Sequence, residues 1–193
     1  MKTKFKFNES SSRKMLLLLF ILGSIVSCKD KSTETPSPIN QSELITKVSL
    51  VFRDSVTNSI VQTATFSDLD GPGGMVATID SILLPSNKTY YMDILVLDET
   101  KNPVDTVSNE IVDEGDVHLF VFSPAPISNF IETTILDLDV NFKPIGLSSI
   151  LHTSNIGLGT YTIELRHFDS DAAKAANTTY DTDVSITFDV RLQ

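Results

Sequence analysis

The sequence predicts an all-β fold: an antiparallel β-sandwich of the Ig-like or Greek-key type, about seven to nine strands, behind a lipoprotein signal peptide. Three observations predict it. Apolar residues recur at every second position over long stretches from Leu44 onward. Clusters of Gly, Pro, Asn and Asp punctuate those stretches at short intervals. The patterned segments are rich in Phe (11 residues in the chain), Val, Ile and Thr, a mix that suits a pleated, half-buried surface.

Taken in chain order, Leu44, Thr46, Val48, Leu50 and Phe52 form one face, with Lys47, Ser49 and Arg53 on the other. Tyr90 to Leu97 and Val117 to Phe122 are more continuously apolar, as expected of central strands. Tyr161, Ile163, Leu165 and His167 alternate with Thr160, Thr162, Glu164 and Arg166. Val184, Ile186, Phe188, Val190 and Leu192 alternate strictly with Asp183, Ser185, Thr187, Asp189 and Arg191, which predicts the cleanest half-buried strand in the chain. Turn signals fall between, at 70–74, 85–87, 101–103, 114–115 and 124–126. The only helix candidate is Asp171 to Asn177. A closed barrel would show the same period and is the rival architecture.

The N-terminus reads differently. Lys2, Lys4, Lys6, Arg13 and Lys14 precede the apolar run from Met15 to Ser27. That run is short for a bilayer span, which needs about 20 residues. Basic, then apolar, then small is the order of a secretory signal peptide. Ile25-Val26-Ser27-Cys28 resembles the lipobox of bacterial lipoproteins, in which cleavage precedes a cysteine whose thiol is diacylated, and Cys28 is the single cysteine of the chain. The expected organisation is therefore a signal peptide at 1–27, a lipid-anchored polar tether at 28–41, and a β-sandwich at 42–193. Several acyl chains at about 0.8 kcal/mol per CH₂ make such an anchor effectively permanent. Lys29 after the cysteine argues against retention at the inner membrane, so the expected location is the outer membrane, with the domain on its periplasmic or its surface side.

Charge excludes one class of partner. The chain has 15 basic and 25 acidic residues. Removing the five basic residues and one acid of 1–27 leaves 10 and 24, a net of −14. A domain this acidic repels phosphate backbones, so nucleic acid is not an expected partner.

Catalytic signatures are missing: there is no G-x-S-x-G, no H-E-x-x-H and no paired Cys/His motif, so an enzyme is not expected. Metal is a different matter. His118 and His167 lie within strand patterns, and if those strands pair, their rings would meet and could hold a transition metal with a carboxylate. Asp68 and Asp70 sit in a Gly-rich loop, and Asp137, Asp139 and Asn141 space three oxygens at alternate positions, as hard cations such as Ca²⁺ require. Neither stretch follows the EF-hand pattern, and in a strand the same spacing is one solvated face. Asp169 and Asp171 flank Ser170 in a third acidic stretch.

Several phrases together resemble a family of small lipoproteins of flavobacteria and other Bacteroidota. These are 43–50 (ELITKVSL), 65–71 (TFSDLDG), 87–91 (NKTYY), 111–118 (IVDEGDVH) and 159–167 (GTYTIELRH), with Thr182-Asp183. Members often carry the label "type 1 periplasmic binding fold superfamily protein". That label implies two α/β lobes built from βαβ repeats, whereas this chain shows almost no helical pattern, so the family likeness is kept and the fold of the label is not. The resemblance implies an accessory role in nutrient capture beside a TonB-dependent receptor. The expected function is thus a lipid-anchored, non-enzymatic binding module of the outer membrane. The alternative is a structural or adhesive Ig-like envelope domain without a small-molecule site.

Overall fold

The computed structural model describes residues 44–71, 73–126 and 130–193. Cys28 and the expected signal peptide (1–27) and tether (28–41) lie outside the described residues. The elements run β1 (Lys47–Asp54), β2 (Ile60–Ser67), β3 (Thr78–Ile79), β4 (Ile82–Leu84), β5 (Lys88–Leu97), α1 (Val107–Asp113), β6 (His118–Ala125), β7 (Ile131–Ile135), β8 (Ser148–Thr153), β9 (Gly157–Phe168), α2 (Asp171–Ala176) and β10 (Tyr180–Leu192).

They form two sheets, β3-β2-β1-β5-β8-β7 and β4-β10-β9-β6, which do not close into a barrel. The sandwich is the predicted one, with two corrections. Ten strands appear among the described residues instead of seven to nine, because β3 and β4 are only two and three residues long and carry no readable period. And β4 pairs with β10 in parallel, Ile82 opposite Val190, so the architecture is not antiparallel throughout.

The core follows from the alternation. Val48, Leu50 and Phe52 of β1 point inward beside Tyr90, Met92, Ile94 and Val96 of β5. From the other sheet come Tyr161, Ile163 and Leu165 of β9 and Ile186, Phe188, Val190 and Leu192 of β10. All belong to one contiguous apolar cluster. Leu44, predicted to share the β1 face, lies ahead of the strand and is exposed. The buried Tyr161 hydroxyl is satisfied across the sandwich by Thr133 Oγ1 at 2.7 Å, a bond that ties β9 to β7.

Among the described residues two short helices lie in the connections from β5 to β6 and from β9 to β10. The unpredicted α1 buries Val107 and Ile111, four residues apart and so on one side of a single turn. The predicted α2 has ordinary caps: Ser170 Oγ accepts from the Ala173 N–H, and Asn177 takes the left-handed conformation that ends the helix. Lys174 of α2 is buried, and its Nζ donates to Asp139 Oδ2 at 2.8 Å and to the Gly115 carbonyl. One ammonium thereby joins α2, the 137–145 loop and the turn into β6.

Candidate functional site

Where β6 begins and β9 finishes, the inward side chains of the four-stranded sheet change from apolar to ionisable. The register places His118 directly opposite His167, while Phe120 and Leu165 face each other one inward pair further along. The two imidazoles meet edge to face, with ring centroids 4.3 Å apart. His118 is buried, 1% exposed, so it belongs to the interior and not to a solvated strand face.

A carboxylate joins them through a β-bulge. β10 shifts register against β9 between Thr182 and Val184, so Asp183 is the extra residue on its strand. Strict alternation would turn Asp183 to solvent with Ser185 and Asp189. The bulge re-aims it inward, and its side chain is only 6% exposed. Asp183 Oδ2 lies 3.9 Å from His118 Nε2 and 3.9 Å from His167 Nδ1.

Glu114 completes the group. It caps the C-terminus of α1, and its backbone carbonyl accepts from His118 Nδ1 at 3.0 Å. A carbonyl can only accept, so Nδ1 carries the proton and the lone pair of neutral His118 sits on Nε2, the nitrogen nearest Asp183. Burial holds the His118 pKa below that of an ordinary histidine, a shift aided by nearby His167 and Lys174 and opposed by the Glu114 carbonyl and Asp183. The Glu114 carboxylate faces solvent, and one of its oxygens and one nitrogen from each histidine lie within 4.8 Å of one another. Two imidazoles with carboxylates at this separation are a donor set for a borderline transition metal.

The predicted oxygen sites are arranged otherwise. Asp137 accepts backbone N–H bonds from Gly146, Leu147 and Ser148 at 2.9–3.2 Å. Asp139 accepts from the N–H groups of Asn141 and Lys143 and from the Lys174 ammonium. Each carboxylate thus has three of its roughly four acceptor positions occupied by donors of the chain itself. Asn141 turns away to donate from Nδ2 to Asp171 Oδ1 at 3.0 Å. The alternate spacing here organises a loop and an ion pair. In the other loop, Asp70 Oδ2 accepts from the Met75 N–H at 2.9 Å. Among the described residues no donor meets the buried Asp68 Oδ1, which borders a hollow of about 120 Å³.

Comparison of the chain with protein-family models, with curated proteins and with solved structures finds no match. The site therefore stands on its own geometry.

The sequence singles out His118 and His167, to meet only if their strands pair, as they do, but it does not single out Asp183 or Glu114. For Asp183 the alternation pointed the wrong way, and no glycine or proline marks the bulge. For Glu114 a signal was present: it lies four residues before His118, at the end of α1. The third histidine, His152, sits on an exposed face of β8 beside Thr89, away from the cluster.

Proposed function

We propose that this chain is a lipid-anchored, non-enzymatic binding module of the outer membrane, held there by acylated Cys28 and working beside a TonB-dependent receptor in ligand capture. The observation that carries the binding reading is the inward-facing group His118, His167 and Asp183, where β6 begins and β9 finishes beside the apolar core. A purely structural Ig-like domain would gain more from apolar side chains at these positions, since buried ionisable groups lose hydration that mutual attraction only partly restores. The anchor rests on the lipobox-like Ile25-Val26-Ser27-Cys28 and the basic-then-apolar leader before it.

The test combines labelled-palmitate incorporation and membrane fractionation with a thermal-shift screen of the purified full chain. The screen covers transition-metal ions, oligosaccharides and peptides. The wild type should be labelled and fractionate with the outer membrane, and Cys28→Ala should be neither labelled nor processed. At least one ligand should give a saturable shift that a His118→Gln/His167→Gln chain loses. A labelled chain with no saturable ligand would leave the structural alternative, and an unlabelled wild type would remove the anchor.

A further inference from the structure

We infer that His118 Nε2, His167 Nδ1 and Asp183 Oδ2, with the Glu114 carboxylate as a solvent-side fourth donor, form a site for an exchangeable divalent transition metal of the Zn²⁺ class. The inference rests on the binding reading above and gives that reading its ligand class.

Four features of the geometry support it. The ladder between β6 and β9 fixes both histidines on rigid strands in direct opposition, so neither needs to move far. Asp183 Oδ2 is equidistant, 3.9 Å, from the two nitrogens. Ligands around a tetrahedral zinc with bonds of about 2.0–2.1 Å lie roughly 3.4 Å apart, so Asp183 Oδ2 has to approach each histidine nitrogen by about half an ångström to share an ion with it. The Nδ1–H bond from His118 to the Glu114 carbonyl supplies the outer-shell partner that metal-bound histidines use to fix ring orientation and present Nε2. Finally, the charges balance: two neutral imidazoles and two carboxylates carry about −2, which a divalent ion neutralises in a buried setting.

The donor set also selects the ion. Two imidazole nitrogens suit Zn²⁺, Co²⁺ or Cu²⁺, whereas Ca²⁺ and Mg²⁺ require oxygen shells of six or more that this site does not offer. Access comes from the Glu114 side. His118 and Asp183 are buried, but Glu114 is exposed and His167 keeps a side-chain exposure of 17%, so an ion enters and leaves without unfolding the sandwich.

The experiment is calorimetric titration of the chelator-stripped full chain, solubilised in detergent, with ZnCl₂, paralleled by visible absorption on adding CoCl₂. One equivalent should bind with a dissociation constant in the micromolar range or tighter, and Co²⁺ should develop the absorption of a low-coordinate nitrogen/oxygen site. His167→Gln and the near-isosteric Asp183→Asn should each weaken binding at least about 100-fold, while Glu114→Gln should cost about tenfold. Unchanged melting of the stripped variants would show that they remain folded. His167→Gln, being partly exposed, is the variant that keeps the test valid if Asp183→Asn unfolds. Zinc affinity unaltered in folded His167→Gln, or no zinc binding by the wild type, would overturn the metal assignment. An oligosaccharide or peptide that still gives a saturable, histidine-dependent shift would then preserve the binding module, whereas no ligand of any kind would remove both.

Discussion

Lys174→Met tests whether α2 clamps the loops that frame the histidine end of the sandwich. The Lys174 and Asp139 side chains are 2% and 1% exposed, and their 2.8 Å bond is closed to solvent on both partners. Methionine keeps the length of the lysine stem but removes the charge, leaving Asp139 buried without its counter-ion and the Gly115 carbonyl without its side-chain donor. Breaking one partner of a buried pair costs about 3–5 kcal/mol, far more than the same pair would be worth at the surface. For a domain of this size, that corresponds to a melting temperature lower by about 6–20 °C. The assay is urea and thermal unfolding at pH 7, followed by circular dichroism, for wild type, Lys174→Met, Asp139→Asn and the double variant. The double variant should recover part of the loss, because the uncompensated charge is gone, although the N–H groups of Asn141 and Lys143 then face a weaker acceptor. A loss below about 1 kcal/mol in Lys174→Met would mean that water reaches Asp139 and that α2 is not a clamp.

Three further outcomes follow from the same structure. Phe188→Ala, which empties a fully buried position opposite Tyr161, should cost about 3–5 kcal/mol in urea unfolding, and a cost below 1 kcal/mol would mean the faces of β10 are reversed. Burial alone would raise the Asp139 pKa, but the Lys174 ammonium and the N–H groups of Lys143 and Asn141 outweigh it and hold the pKa below the ordinary value. Its contribution to stability should therefore be complete above about pH 4 and lost as pH falls through the lower folded value, an acid dependence that Asp139→Asn should flatten in a pH series of unfolding curves. Ca²⁺ and Mg²⁺ at matched ionic strength should raise the melting temperature equally, by relief of charge repulsion alone, and a Ca²⁺-specific shift abolished by Asp137→Asn would contradict the structural role given to that carboxylate.

The parts of the fold that were legible in the sequence are those where period two runs long enough to be counted. β1, β5, β9 and β10 fall where alternation or continuous apolarity placed them, and Ile186, Phe188, Val190 and Leu192 are buried as their spacing predicts. What escaped is short or locally exceptional. β3 and β4 are too brief to establish a period, and α1 is less than two turns long, its helical signal limited to Val107 and Ile111. The candidate site divides in the same way. His118 and His167 were recognisable because each lies in a patterned strand, and pairing those strands brings the rings together. Asp183 was hidden because a bulge breaks the rule that predicted its direction. Asp137 and Asp139 gather donors of the chain itself, and spacing alone does not separate a carboxylate that gathers backbone N–H groups from one that gathers a cation.

The central claim is that this polar end of the sandwich is built to hold a metal ion, and X-ray absorption at the zinc edge of the zinc-loaded chain addresses it most directly. The zinc-loaded chain should show a four-coordinate shell of nitrogen and oxygen at about 2.0–2.1 Å, with the outer-shell scattering of two imidazoles that falls to one in His167→Gln. An all-oxygen shell, or an imidazole count unchanged by that substitution, would contradict it.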